Sequence, residues 1–96
     1  GAVVGAICAA PIALASWGLL RGRRATAFPA HVDTVKAAGA DVVDDSVVVD
    51  DSDGVVVTSR GVGTALAFSL RLVSLLVDGA TATKLADAML VDSASR

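Results

Sequence analysis

The chain has one cysteine, one histidine and no tyrosine among its 96 residues. A lone cysteine cannot form an internal disulfide, so it favours a reducing compartment and predicts a cytoplasmic protein with a free thiol. A basic excess is also missing, because eight Lys and Arg residues face ten Asp and Glu residues, for a formal charge of −2. Without a positive field to attract phosphate backbones, the sequence predicts no nucleic-acid partner.

The residues that are present are mostly apolar. Hydrophobic side chains make up 54% of the chain, and only 3% of all residues are aromatic. This composition excludes disorder and is typical of parallel α/β sheets that are covered on both faces. The chain has no initiator methionine and opens directly into an apolar run at residues 2–7, without the polar linker that usually borders a domain. We therefore expect a cleaved or truncated product that needs a partner segment.

One alternative is a membrane span. Residues 1–20 carry no charge and are followed by Arg21, Arg23 and Arg24, as in a transmembrane helix with a positive flank. Pro11 and several glycines argue against this interpretation, and so do the α/β patterns farther along the chain. A signal peptide does not fit, because its basic residues would precede the apolar stretch. The sequence therefore predicts no membrane partner.

Hydrophobic periodicity predicts alternating strands and helices. We expect strands at 3–7, 25–28, 41–43, 46–49 and 55–58, and helices at 9–20, 31–38, 64–77 and 83–91. The first strand should be fully buried, and the three strands after residue 40 should be consecutive antiparallel edge strands.

The same patterns predict where the last helices end and what they bury. Gly79 should end the third helix. The last helix should bury a stripe formed by Leu85, Ala86, Met89 and Leu90, and residues 92–96 should be frayed.

Cys8 is the strongest candidate for chemistry, because it stands where a buried strand turns into a helix. That position projects the sulfur from the backbone and directs helix N–H groups at it, which favours the thiolate. The Ala9 N–H could hold an oxyanion that forms when the thiolate attacks a carbonyl. The geometry resembles a serine nucleophile elbow without its flanking glycines. The alternative is a small buried thiol with no reactivity.

A second candidate is the loop from Thr58 to Thr64, where a strand end is followed by glycines and a helix start. Ser59, Arg60 and Gly61 could present a guanidinium and backbone N–H groups to an anion. The alternative is a tight turn with a solvated Arg60.

Other polar residues give weaker signals. His31 is the only candidate base for Cys8 but has no acidic partner at a suitable spacing. The acidic residues between Asp44 and Asp53 fail the calcium-loop pattern because Val49 holds the first ligand position, so a solvated turn is expected. Arg21, Arg23 and Arg24 are expected to be a solvated helix end. No metal site is predicted.

Two segments, Ala6-Ile7-Cys8-Ala9-Ala10-Pro11 and Thr58-Ser59-Arg60-Gly61-Val62-Gly63-Thr64, resemble signatures of the ThiJ/PfpI superfamily. The similar subgroup contains the Parkinson-disease-associated deglycase and the bacterial YajL-like proteins. The resemblance covers nearly the whole chain but only the second half of the family domain. It implies a flavodoxin-like three-layer α/β sandwich with a mainly parallel sheet, of which residues 1–96 are the C-terminal half.

The resemblance also implies roles for particular residues. Cys8 matches the reactive cysteine, Ala9 the oxyanion-hole position and Arg60 the basic residue near the pocket and the dimer interface. Phe28 stands where the animal proteins have a histidine, which removes a local proton shuttle. A histidine follows the cysteine in PfpI-type proteases, and Ala9 at this place does not support a Cys-His dyad. The acidic residue that binds the cysteine in this family would come from the N-terminal half.

Three functions therefore remain open. The first is a cofactor-independent glyoxalase or deglycase that acts on a small aldehyde, methylglyoxal, or its adducts and protects against oxidative stress. The second is a redox sensor or redox-regulated chaperone based on oxidation of Cys8, and the third is a structural fragment with an inert thiol. The implied partners are the N-terminal half of the same protein and a second copy in a homodimer.

Overall fold

The computed structural model describes residues 2–96, apart from the side chain of Ser95, and Gly1 at the start of the expected apolar run lies outside them. The strands of this region are β1 (Val3–Ile7), β2 (Arg24–Ala25), β3 (Asp41–Val42), β4 (Val47–Asp50) and β5 (Val55–Ser59). The α-helices are α1 (Pro11–Ser16), α2 (Val32–Ala37), α3 (Ala65–Leu76) and α4 (Gly79–Ala88). Short 3-10 turns lie at Pro29–His31, Val62–Thr64 and Ser93–Ser95.

Strand β5 is the centre of a three-stranded sheet. It pairs in parallel with β1, with Ile7 opposite Ser59, and antiparallel with β4, with Val47 opposite Ser59. Strands β2 and β3 form a separate parallel pair. The expected antiparallel pairing is therefore confirmed for β4 and β5, but β5 is a central strand instead of an edge strand, and β3 pairs in parallel with β2. A helix separates β2 from β3, and such a crossover gives parallel strands, whereas the short turn between β4 and β5 permits an antiparallel hairpin.

Strand β1 is less buried than expected. Of its five residues only Ala6 is buried, because within residues 2–96 β1 has a hydrogen-bonded neighbour on one side only. Its two faces are nevertheless both used. Val4 and Ala6 belong to the core that also contains α1 and α2, whereas Gly5 faces Phe68 of α3. The sheet thus lies between helices on both faces, as the α/β layer pattern predicts.

The main core lies under α1 and α2. Its buried members come from β1, β2, β5 and these two helices, and include Leu14, Leu20, Ala25, Val35 and Val56. Helix α1 is shorter than expected and ends at Ser16, because Gly18 takes a left-handed backbone with φ of +74°. Pro11 occupies its first turn, as predicted.

A smaller cluster joins α3 to α4 through Leu70, Ala86 and Val91. Gly79 begins α4 instead of ending α3, because the Asp78 carboxylate accepts the Thr81 N–H and caps the new helix.

Helix α4 therefore presents a different face from the one expected. Ala82 and Ala86, four residues apart, are buried, while Leu85, Met89 and Leu90 are exposed. The predicted buried stripe was correct only for Ala86.

The end of the described chain is fastened to α4. Residues 92–96 were expected to fray, but the Arg96 guanidinium donates hydrogen bonds to the Val91 carbonyl at 2.6 Å and to Asp87 at 2.8 Å. Among residues 2–96, no helix has the length and apolar character that a bilayer crossing requires.

Candidate functional site around Cys8

Cys8 lies in the turn between β1 and α1 and has a left-handed backbone with φ of +64°. This conformation costs a residue with a Cβ about 1–2 kcal/mol, so other contacts must maintain it. Two hydrogen bonds do so. The Cys8 N–H donates to the Ser59 carbonyl at 3.0 Å, and the Cys8 carbonyl accepts the Phe28 N–H at 2.9 Å. Two separate segments therefore fix the backbone of Cys8, and its side chain stays half-buried.

The residues after Cys8 leave one backbone donor free. The Ala10 N–H bonds to the Ile7 carbonyl at 3.1 Å, whereas within residues 2–96 the Ala9 N–H has no acceptor. Ala9 is also exposed. Because α1 has only six residues, this amide is a better candidate for oxyanion binding than the helix dipole.

Cys8 opens into a cavity of about 410 Å³. The lining residues come from the elbow, from the segment after β2 and from the loop after β5: Cys8, Phe28, Pro29, Arg60, Gly61, Val62, Gly63 and Thr64. Four residues that the sequence singled out, Cys8, Phe28, Arg60 and Gly61, thus come together. Ser59 is fully buried outside the lining, and Ala9 lies beside the cavity on the elbow.

The rim of the cavity is apolar. Val62 is 93% exposed and Phe28 is 44% exposed. Val62, Gly63 and Thr64 belong to the loop that the sequence singled out, but they were not given individual roles, and Pro29, which follows Phe28, was not proposed as a site residue. The sequence can indicate such lining residues only through their position next to a residue that was proposed for its chemistry.

Arg60 supplies the positive charge of the cavity. Its guanidinium donates to the Asp44 carboxylate at 3.2 Å, and the Asp44 side chain is 93% exposed. Exposed pairs of this kind contribute only about 0–1 kcal/mol, so an anion in the cavity could compete for the guanidinium. The lining contains no Asp or Glu among the described residues.

Two hydroxyl groups, of the buried Ser59 and the half-buried Thr64, hold the Arg60 loop by hydrogen bonds. The Ser59 hydroxyl lies 2.6 Å from the Ser46 carbonyl and 2.6 Å from the Thr64 hydroxyl. Thr64 Oγ1 accepts the Gly61 N–H at 3.1 Å. Ser59 thus contacts both the elbow, through its carbonyl, and the loop, through its side chain.

His31 does not line the cavity. It ends the short turn after Phe28, and its ring centre lies 6.0 Å from that of Phe28. The structure therefore places His31 next to Phe28 and outside the lining of the cavity that Cys8 shares.

Asp50, by contrast, was missed as a structural residue. It is 5% exposed, and its carboxylate accepts the Arg23 guanidinium at 3.0 Å and the Arg24 N–H at 2.9 Å. Hydrogen bonds from the Ser52 hydroxyl and the Arg24 N–H, in that order, lower the pKa of Asp50 to about 2. The expectation of a solvated acidic turn and solvated arginines was wrong for Asp50 and Arg23. Arg24 is exposed, although its guanidinium donates to the Val49 carbonyl. No group of three or more metal-ligating side chains forms within residues 2–96.

Comparison with known proteins agrees with this architecture. Residues 1–75 match the sequence profile described as the DJ-1/PfpI family. A glutathione-independent glyoxalase of Caenorhabditis elegans is 38% identical over 76 residues, which are 79% of this chain and 39% of that protein. A deglycase of Pyrococcus abyssi is 45% identical over 76 residues, or 79% of this chain and 44% of that protein.

The solved structure of oxidized Toxoplasma gondii DJ-1 superimposes with a TM-score of 0.81 at 34% identity. The match covers 94% of this chain and 47% of that one. The flavodoxin-like α/β fold expected from the sequence is thereby confirmed. The chain spans less than half the length of these relatives.

Proposed function

Since the chain belongs to the DJ-1/PfpI family, we propose that the complete protein is a cofactor-independent glyoxalase or deglycase acting on methylglyoxal or its early protein adducts. The observation that carries the proposal is Cys8, which has a left-handed backbone and lines a cavity together with Arg60. Relatives named as a glyoxalase and as a deglycase support the same reaction class.

The first step is addition of the Cys8 thiolate to the aldehyde carbon. A C–S bond forms, the C=O π pair moves to oxygen, and the Ala9 N–H stabilises the resulting oxyanion. The oxyanion takes up the proton that the thiol lost, which gives a hemithioacetal. A proton then moves from the former aldehyde carbon to the neighbouring keto carbon through an enediol, which gives a lactoyl thioester. Water cleaves the thioester and releases lactate and the thiol. Methylglyoxal and water thus give lactate without an oxidant or a cofactor.

The carbon-to-carbon proton transfer needs a base that the described lining does not provide. The acidic residue of the family's N-terminal half is our candidate for it. We accordingly place residues 1–96 in the C-terminal half of one domain, with the N-terminal half and a second copy as partners. Mass spectrometry of one sample tests this arrangement. A companion polypeptide would add its mass to the complex under native conditions and would appear as a separate chain under denaturing conditions.

The decisive test of the activity is Cys8→Ser in the complete protein. We expect lactate production from methylglyoxal to fall to the uncatalysed background while the thermal unfolding midpoint stays within a few degrees, since the change is nearly isosteric. Ser16→Ala, on the exposed end of α1, is the matched control and should retain activity. Unchanged lactate production by Cys8→Ser would reject the mechanism.

A redox role for Cys8 is the second candidate, because the similar Toxoplasma gondii protein was solved in an oxidized form. Half-buried Cys8 is accessible to peroxide through the same cavity, and one oxidation product would be the sulfinate. A sensor or redox-regulated chaperone should gain stability or partner binding after mild peroxide treatment. An enzyme that uses the thiolate should only lose turnover.

A further inference from the structure

We propose that Thr64 and Ser59 are positioning residues, whose hydrogen-bonded hydroxyl groups hold the Arg60–Gly63 loop against the Cys8 elbow. This inference rests on the proposed function only for its effect on turnover. The supporting geometry is a series of hydrogen bonds that begins at Gly61 in the loop and ends at the Ser46 carbonyl, directly before β4.

The direction of this chain follows from its two ends. The Ser46 carbonyl can only accept, so the Ser59 hydroxyl donates its single proton to it. The Thr64 hydroxyl must then be the donor in its 2.6 Å contact with Ser59. At the other end, the Gly61 N–H can only donate, and it donates to Thr64 Oγ1. Hydrogen bonds in such a series polarise and strengthen one another.

Thr64 has one competing acceptor, the Gly61 carbonyl at 3.0 Å. That carbonyl already accepts the Thr64 backbone N–H at 3.0 Å, and it lies farther away than Ser59 Oγ. The shorter contact favours Ser59, and in either arrangement the Thr64 hydroxyl binds the peptide group next to Arg60.

The elbow is tied to the same side chains. The Ser59 carbonyl accepts the Cys8 N–H at 3.0 Å, and Ser59 is fully buried, so it has little freedom to move. Arg60 directly follows Ser59 in sequence. The separation between the sulfur and the guanidinium is thus set by Ser59 and by the Thr64 contact, because the exposed Asp44 pair is too weak to set it.

The test compares Thr64→Val, which keeps the shape of the side chain and removes its hydroxyl, with Thr64→Ser, which keeps the hydroxyl. Both are made in the complete protein. Thr34→Val, on the exposed face of α2, is the matched control. The readout is the ratio of Cys8 alkylation rates with anionic iodoacetate and neutral iodoacetamide, which reports a positive charge near the sulfur whether or not the protein is an enzyme.

Charged walls of a cleft raise the rate of encounter with an opposite charge by roughly tenfold or more. We therefore expect Thr64→Val to lower the iodoacetate to iodoacetamide ratio about tenfold, towards that of Arg60→Gln, whereas Thr64→Ser and Thr34→Val should keep the original ratio. If Thr64→Val does not fold, Ser59→Ala should produce the same loss.

Methylglyoxal kinetics separate this proposal from the previous one. A displaced Arg60 should raise KM more than it lowers kcat, since the guanidinium acts on binding. If the unaltered protein makes no lactate but the alkylation ratio still falls in Thr64→Val, the proposed activity fails and the positioning role stands. An unchanged ratio in a folded Thr64→Val or Ser59→Ala protein would overturn the positioning role.

Discussion

Cys8 and Leu90 have the same backbone conformation, but different contacts maintain it. Both are non-glycine residues with positive φ, +64° and +59°, and no others occur among residues 2–96. Leu90 lies just beyond α4, where the Leu90 N–H binds the Asp87 carbonyl and the Val91 N–H binds the Ala86 carbonyl. These two bonds form a Schellman motif, in which the left-handed position is usually glycine.

The supports of the two residues differ accordingly. The bonds at Leu90 all come from its own helix, and Leu90 itself is 88% exposed. Cys8 is held by β5 and by Phe28, more than 15 residues away in sequence. A strained residue that ends a helix needs only local bonds, whereas the strained residue at the cavity is fixed by tertiary structure. This difference marks Cys8 as the functional position of the two.

The largest expected effect is the loss of activity in Cys8→Gly. Glycine accepts the left-handed backbone without the cost of a Cβ, so the free energy of unfolding should not fall, although lactate production should disappear. Chemical denaturation and a lactate assay on the same complete protein check both parts. A clearly destabilised Cys8→Gly variant would show that the thiol is held mainly for packing.

A second expectation concerns local opening. The amides of Cys8 and Phe28, bonded across segments, should exchange with solvent at least about a hundredfold more slowly than those of Leu90 and Val91, because helix ends open at low free energy. Hydrogen exchange followed by NMR gives both rates in one experiment. Equal protection at the two sites would show that the tertiary contacts at Cys8 hold its backbone no more firmly than the local bonds hold Leu90.

A smaller effect is expected from Leu90→Gly. Relief of the left-handed strain stabilises the folded state, and the greater flexibility of glycine in the unfolded chain offsets part of this gain. The free energy of unfolding should therefore rise by at most about 1 kcal/mol. Leu85→Gly, in the interior of the same helix, is the control and should be destabilising by about 1 kcal/mol. If Leu90→Gly does not stabilise the protein, the leucine side chain must make stabilising contacts in the complete protein.

The smallest effect on the elbow should come from acid. The pKa of Asp50 is lowered to about 2 in the folded protein, from 3.8, so its contribution to stability is present above pH 4. That contribution is lost as the pH falls from about 4 towards 2. We expect the Arg24 and Ser52 amides to exchange faster in this range while the Cys8 amide changes little. Asp50→Asn should abolish the pH dependence at these two amides.

Local signals predicted much of the fold. The strand at the first apolar run, Pro11 in the first turn of α1 and Gly39 at the end of α2 each have a direct physical cause in the sequence, and each position was confirmed, although β1 is less buried than predicted. The cap at Asp78 was also readable, since Thr81 follows three residues later, but the neighbouring Gly79 was given more weight. These features depend on residues near one another in the chain.

Long-range contacts were not predictable in the same way. The Arg23–Asp50 pair joins residues 27 positions apart, and nothing in either segment specifies the other. The candidate site occupies an intermediate place. The elbow at Cys8 and the loop at Arg60 were each visible locally, but only the family resemblance brought them together before the structure did. Their proposed roles remain predictions.

The close approach of Gly5 to α3 has a consequence for how such sequences can vary. A Cβ at position 5 would lie 3.1 Å from Phe68 Cζ and 3.5 Å from a methyl group of Leu72. An alanine at this place would require the Phe68 ring to move by a few tenths of an ångström, or a smaller side chain at position 68. Across related sequences, positions 5 and 68 should therefore covary in size, so that the strand leading to the cysteine and the helix behind it evolve as a pair.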